Sequence, residues 1–167
     1  MQDDVTRYMT YALREADRAL DAGEVPVGCV IVHDGQIVGK AHNQRETLQD
    51  PTAHAEILAI TQAAAHLRSW RLEDTALYVT LEPCPMCAGA IILARIPQVY
   101  FGAFDPKAGV CGTLMNLLAD ERFNHRPNVV PGIMAEECGA RLTSFFRRIR
   151  TEGRQSSNGT SCGQAGL

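Results

Sequence analysis

Lysine is nearly absent from this 167-residue chain: Lys40 and Lys107 are the two lysines among 16 basic residues, which face 19 acidic ones. The formal net charge of -3 lacks the general basic excess with which proteins track phosphate backbones, so any nucleic-acid partner has to be met locally. No run approaches the roughly 18 consecutive apolar residues of a membrane span. The opening MQDDVTRYMT has neither the basic n-region nor the apolar h-region of an export signal, which points to a soluble cytoplasmic protein. In that reducing compartment the six cysteines are expected as thiols or metal ligands rather than as three disulfides. Internal repeats are lacking too. The last thirteen residues, QSSNGTSCGQAGL, carry no charge and little that could pack, so the reading is one domain over 1–154 and a disordered polar tail over 155–167.

What is present is an alternation of helix and strand patterns. Val5, Tyr8, Met9, Ala12, Leu13, Ala16, Ala19 and Leu20 recur at helical spacing, with Asp3 or Asp4 at the start and Gly23 just past the end. VPVGCVIV at 25–32 is β-branched and nearly all apolar, Asp34-Gly35 is a hairpin dipeptide, and QIVGKAH at 36–42 is the return strand. Residues 43–53 are polar, include Pro51 and read as a loop. Helices are then expected over 55–67, 84–94, 114–118 and 136–150, with strands over 76–81, 98–104 and 128–133. An antiparallel hairpin followed by alternating strands and helices implies a five-stranded mixed sheet covered on both faces, a three-layer α/β domain.

The residues that carry chemistry are Thr52-Ala53-His54-Ala55-Glu56 and Glu82-Pro83-Cys84-Pro85-Met86-Cys87. His54 offers an imidazole, and Cys84 and Cys87 offer two thiolates on the face of one helical turn, a donor set suited to zinc. Both segments read as helix starts, where positive dipole ends favour thiolate over thiol. A structural zinc site is the competing reading. It wants four protein ligands, and Cys29, Cys111, Cys138 and His42 belong to no second closely spaced pair, so an open fourth position is favoured. A dication with two thiolates and a neutral imidazole has no net charge and acidifies water weakly, so a nearby base is needed. Glu56 lies two residues past His54, about 200° around a helix, and reaches the metal only if the first turn lies end-on to it. Its other reading is a solvated first-turn carboxylate.

HAE together with PCxxC identifies the zinc-dependent cytidine deaminase-like superfamily. The stretch 25–150 resembles the bacterial tRNA-specific adenosine deaminases (TadA type). The similarity runs through Pro26-Val27-Gly28, His42-Asn43, 50–56, Leu77–Cys84, Cys87–Ala90 and Phe101-Gly102-Ala103. It continues through Asp105-Pro106-Lys107, Gly112, Leu114-Met115, Asn124-His125-Arg126 and Phe145-Phe146-Arg147. The resemblance implies a cytidine deaminase-like fold, one zinc per subunit on His54, Cys84 and Cys87, and a homodimer in which each active site is partly built by the other subunit. It implies that zinc-bound hydroxide attacks C6 of the wobble adenosine of a tRNA anticodon loop, with Glu56 as proton shuttle, leaving inosine.

The same resemblance assigns substrate contacts to Asn43, Asp105, Lys107, His125 and Phe146. Alternatives stay open for several: Asn43 as a loop residue bonding its own backbone, Asp105-Pro106 as ordinary turn chemistry, and either Phe145 or Phe146 as the ring that stacks on a base. Two other functions share the motifs, a deaminase of free guanine or cytidine-type bases and an inactive zinc-bearing RNA-binding module. The family's frequent Lys-rich end is missing, so phosphate contacts fall to Arg147, Arg148, Arg150 and Arg154. Residues 141–154 hold five arginines against Glu152 alone, +4, which leaves -7 on 1–140. A basic last helix on an acidic body predicts short-footprint, salt-sensitive RNA binding. Asp105 is expected to accept from a ribose 2′-OH, the group that distinguishes RNA from DNA. Asp105→Asn should therefore lose part of the preference for an RNA hairpin over its matched DNA hairpin, and an unchanged ratio of the two deamination rates would refute that role.

Overall fold

The computed structural model describes residues 2–158. Helix α1 (Gln2–Asp21) leads into the hairpin β1 (Gly28–His33) and β2 (Gln36–His42), followed by a single turn α2 (Arg45–Leu48) and helix α3 (Ala55–Leu67). Strand β3 (Thr75–Leu81), helix α4 (Pro85–Ala94) and strand β4 (Gln98–Ala103) form a crossover unit. A 3-10 helix (Leu117–Ala119), strand β5 (Asn128–Val130) and helix α5 (Ala135–Asn158) complete the domain. The sheet order is β2-β1-β3-β4-β5. β1 pairs antiparallel with β2 and β3, and β3-β4-β5 run parallel, the mixed sheet expected.

The hairpin turns where Asp34 and Gly35 take positive φ (47° and 75°), as a two-residue primed turn demands. Along β1 successive side chains alternate between two cores, the mark of a sheet covered on both faces. Cys29 and Ile31 pack with Ala55, Ala59, Ala88 and Ile91 of α3 and α4. Val30 and Val32 pack with Tyr8, Met9 and Leu13 of α1 and Cys138 of α5. The helices approach closely enough to need glycine beneath them. A Cβ on Gly28 would run into the Ala12 carbonyl of α1, and one on Gly39 into the Ala59 carbonyl of α3. All five described cysteines are free. Among the described residues no helix is long and apolar enough to cross a membrane.

Several boundaries differ from expectation for identifiable reasons. The first strand starts at Gly28 rather than at 25, because Pro26 has no N–H for the ladder. The 43–53 loop contains α2, whose first free N–H groups, those of Glu46 and Thr47, donate to the buried carboxylate of Glu24 at 3.2 and 2.6 Å. The helix expected over 114–118 shrinks to the 3-10 helix, since Leu114 N bonds Gly109 O and Cys111 bridges Asn116. The last strand stops at Val130, ahead of Pro131 and of Gly132 at φ 81°. The final helix continues through Asn158, four residues into the segment read as a disordered tail. Extending an existing helix fixes one residue per hydrogen bond and avoids the cost of a new nucleus. The rest of that segment, with Cys162, lies outside the described residues.

Gly28→Ala tests the tightness of the α1–sheet contact. Overpacking against backbone is expected to lower the unfolding free energy by about 1–3 kcal/mol, seen as a lower urea midpoint, and an unchanged midpoint would mean the contact is slack.

Candidate active site

Helices α3 and α4 begin at the same place, beyond the carboxyl end of the sheet. His54 is the N-cap of α3 and Cys84 the N-cap of α4. Both have extended backbone (φ -75°, ψ 151° and φ -78°, ψ 172°) and neither makes a side-chain cap hydrogen bond. Their side chains turn toward each other instead. Pro85 occupies the first helical position of α4, where its missing N–H costs nothing, and Cys87 follows two residues on. The Sγ atoms of Cys84 and Cys87 lie 3.6 and 3.5 Å from His54 Nδ1, and the three ligand atoms all lie within 4.8 Å of one another. Ligands at about 2.3 Å (sulfur) and about 2.0 Å (nitrogen) around a tetrahedral ion are about 3.5 Å apart, the separation found here. The donor set and its spacing fit one zinc ion with a fourth position left open.

The three groups shift one another's protonation. The Cys84 thiol is drawn down to about 4, chiefly by the hydrogen bond from Cys87. Cys87 keeps its proton, pushed far up by that same bond, then by burial and by the charge of Glu56. His54 is raised, first by its hydrogen bond to Cys84. Metal binding replaces these protons, and the two helix dipoles favour the resulting thiolates.

Glu56 sits in the first turn of α3 and is 4% exposed. The turn does lie end-on to the metal ligands: Glu56 is buried and lines the same cavity as His54 and Cys84. It is therefore no solvated first-turn carboxylate. Burial pushes its carboxyl up to about 7, against the lowering effect of its backbone hydrogen bond and of His54.

The cavity has a volume of about 610 Å³, within the usual range for a small-molecule pocket. Of its lining, Asn43 and Glu56 are buried and His54, Cys84 and Asp105 half-buried, whereas Lys107, Phe146 and Arg150 are exposed and form its outer side. Asn43 is buried and already bonds backbone on both sides of its amide, Nδ2 donating to Val25 O at 3.4 Å and Oδ1 accepting from Arg45 N at 3.3 Å. Asp105 uses Oδ1 to accept from Lys107 N at 2.9 Å, which is turn chemistry, while still facing the cavity. The two adjacent phenylalanines separate by burial: Phe145 is 4% exposed and belongs to the core, whereas Phe146 is 42% exposed and lines the cavity with Lys107 Nζ 5.9 Å from its ring.

Within the chain His125 is not brought to this site. Its Nε2 lies 2.7 Å from the Ile96 carbonyl, just ahead of β4, whereas the cavity opens at the other end of that strand. β5 pairs parallel to β4, so the chain must return to the start of β4 before β5 begins, and it carries 124–127 with it. Three residues at or beside the site drew no role from the sequence. Arg45 and Glu82 line the cavity, and Glu24 and Glu82 are buried carboxylates held by backbone N–H groups, Glu24 by those of α2 and Glu82 by those of the 105–113 segment. Only a carboxylate inside an otherwise apolar stretch hints at the last two, and that pattern alone does not separate them from surface glutamates.

Comparison with known proteins agrees with this geometry. Residues 2–103 match the family profile described as the cytidine and deoxycytidylate deaminase zinc-binding region. A tRNA-specific adenosine deaminase of Bacillus subtilis (strain 168) is 58% identical over 143 residues, covering 86% of this chain and 89% of that protein. A solved structure from a study of A-to-I editing by tRNA:A34 deaminases at the wobble position superposes with a TM-score of 0.79 at 42% identity, over 82% of this chain and 99% of that one. A guanine deaminase from Nitrosomonas europaea, at 22% identity and a TM-score of 0.73 over 84% of this chain and 83% of its own, shares the fold.

Metal analysis is expected to find one zinc per chain, and less than a tenth of that in Cys87→Ala. Chelation should lower stability by about 4 kcal/mol, the linkage for free zinc a thousandfold above its dissociation constant, read as a fall in Tm. Full retention of metal by Cys87→Ala would remove it from the ligand set.

Proposed function

The chain belongs to the family defined by the cytidine and deoxycytidylate deaminase zinc-binding region and, within it, to the tRNA-specific adenosine deaminases, and from that premise we propose that it converts adenosine to inosine at the wobble position of a tRNA anticodon loop. One observation carries the reading: a single cavity joins the metal-ligand cluster and buried Glu56 to an outer side made of a lysine, an arginine and an exposed aromatic ring. A pocket for a free base needs no such outer side. A polynucleotide does, because its flanking phosphates and unstacked bases must be held while one base enters.

His54, Cys84 and Cys87 would hold the ion, which when bound would polarise a water for attack and leave its deprotonation to a nearby base. Glu56 is the group that moves protons. Buried in the cavity that the ligands line, its carboxylate can take a proton from the attacking water and return it to the base. In the reaction water adds at C6 of adenine, Glu56 carries its proton to N1, and the C6–N bond breaks with a further proton passing to the departing ammonia. The products are inosine and ammonia, and Glu56 ends as it began. Asn43 keeps one amide N–H and one carbonyl lone pair beyond its two backbone bonds, enough to contact the base or its ribose. Phe146 offers a face on which a neighbouring base stacks, and Lys107 and Arg150 meet phosphates.

We infer further that residues 1–154 act as one deaminase domain in the cytoplasm, and that two copies associate. The support for association is exposed apolar surface: Leu93 on α4 is 74% exposed, and Leu114 and Met115, just ahead of the 3-10 helix beside α4, are 54% and 56% exposed.

An anticodon stem-loop carrying the wobble adenosine, assayed beside free adenosine, guanine and cytidine, tests the substrate. Inosine is expected in the stem-loop alone, whereas ammonia released from a free base instead would replace the proposal with the free-base activity. Glu56→Ala should keep its zinc and lose about 10² to 10⁴ in rate, and near-normal turnover would sink the proton-shuttle role.

A further inference from the structure

The carboxylate of Glu82 is 2% exposed and stands between the end of β3 and the ligand Cys84, yet every hydrogen bond recorded for its side chain comes from one segment elsewhere in the chain. Oε1 accepts from the backbone N–H groups of Cys111 and Thr113 at 2.9 and 3.1 Å. Oε2 accepts from the backbone N–H of Asp105 at 3.0 Å and from the Thr113 hydroxyl. One buried anion thereby ties the start of the 105–113 segment to its end. The segment's own bonds are few: Gly109 N to Asp105 O at 3.0 Å, and Lys107 N to the Asp105 side chain at 2.9 Å. It is also seated directly on the carboxylate, since a Cβ on Gly109 would enter the space of Glu82 Oε2. A charge removed from water is tolerated where its acceptor sites are filled, and bonds to a charged acceptor are the strong ones.

This segment carries Asp105 and Lys107, and through Lys107 it touches Phe146. We propose that Glu82 is a positioning residue for the RNA-contacting side of the cavity. It sets where Asp105 and Lys107 stand, and so how well a polynucleotide is held, without taking part in the proton transfers at Glu56. The proposal rests on the reading of the function given above.

Glu82→Gln isolates the effect. Its carbonyl can keep the bonds from Cys111 and Thr113, the Thr113 hydroxyl can rotate to accept, and the new NH2 then faces the Asp105 N–H, donor against donor. Kinetics on the stem-loop would be measured for wild type, Glu82→Gln, the double variant Asp105→Ala/Lys107→Ala and the triple combination, each with its zinc content. Glu82→Gln is expected to keep its zinc and to lose at least about tenfold in kcat/KM, the loss for one hydrogen bond to a charged group, mainly through KM. In the double-variant background it should cost less than about twofold, the margin within which independent effects add, because the side chains it positions are already gone. An equal cost in both backgrounds, a loss confined to kcat, or a loss of zinc would overturn the proposal. So would a double variant as active as wild type. Should Glu82→Gln fail to fold, Gly109→Ala, whose Cβ displaces the loop from the same carboxylate, carries the same comparison. A wild-type chain that forms no inosine in the stem-loop overturns the reading of the function instead, and this inference falls with it.

Discussion

The amino ends of α3 and α4 converge on one point, and the chemistry of the protein depends on that convergence. Each helix contributes its N-cap side chain, His54 or Cys84, and each directs free N–H groups and the positive end of its dipole at the space between them. Neither makes a side-chain cap hydrogen bond, so both side chains turn to the shared space as ligands. The sheet enforces the meeting. β3 delivers the chain to Cys84, β2 delivers it through α2 to His54, and β1 lies between the two strands in the order β2-β1-β3. Close packing over Gly28 and Gly39 seats α1 and the ligand-bearing α3 directly on the sheet.

Electrostatics then divide the labour. Two thiolates cancel the charge of a zinc ion, which leaves proton management to a protein group. Glu56 is suited to it because it is buried beside the ligands rather than exposed on the helix surface, and burial is also what raises its carboxyl to about 7. The contrast with Glu24 and Glu82 is instructive. All three carboxylates are nearly inaccessible, but Glu24 and Glu82 accept backbone N–H bonds from neighbouring loops and are held below the ordinary carboxylate range by them. Hydrogen bonds to the charged form keep an anion charged, and their scarcity leaves Glu56 able to titrate.

The overall acidity of the chain is compatible with an RNA substrate once charge is mapped onto the fold. The +4 of residues 141–154 belongs to α5, the helix that brings Phe146 and Arg150 to the cavity. The acidic remainder gives no general attraction to phosphates, which under the proposed function leaves contact to the exposed lining of the cavity. Exposed Phe146 and Lys107 approach each other there, the ring and the ammonium that the proposed function assigns to a base and a phosphate.

Much of this was legible in the sequence wherever the relevant geometry is local. Asp34-Gly35 specifies a hairpin turn, the alternation of patterns specifies a three-layer α/β domain, and two cysteines three residues apart behind a proline specify one helical turn bearing two thiols. The pairing of His54 with those cysteines follows from their chemistry, because three such donors have few other uses. What only the tertiary structure decided are relations across elements. Helical facing pointed Glu56 away from the metal, and the end-on approach of α3 brought it back. Phe145 and Phe146 are equivalent in sequence, and the packing of α5 buried one and exposed the other. His125 followed the strand topology to the amino end of β4, and Glu82 acquired its partners from a segment more than twenty residues away. Sequence spacing fixes angles and distances within one turn or one strand, whereas the position of one element against another is set by which faces bury together, and that emerges only when the whole core closes.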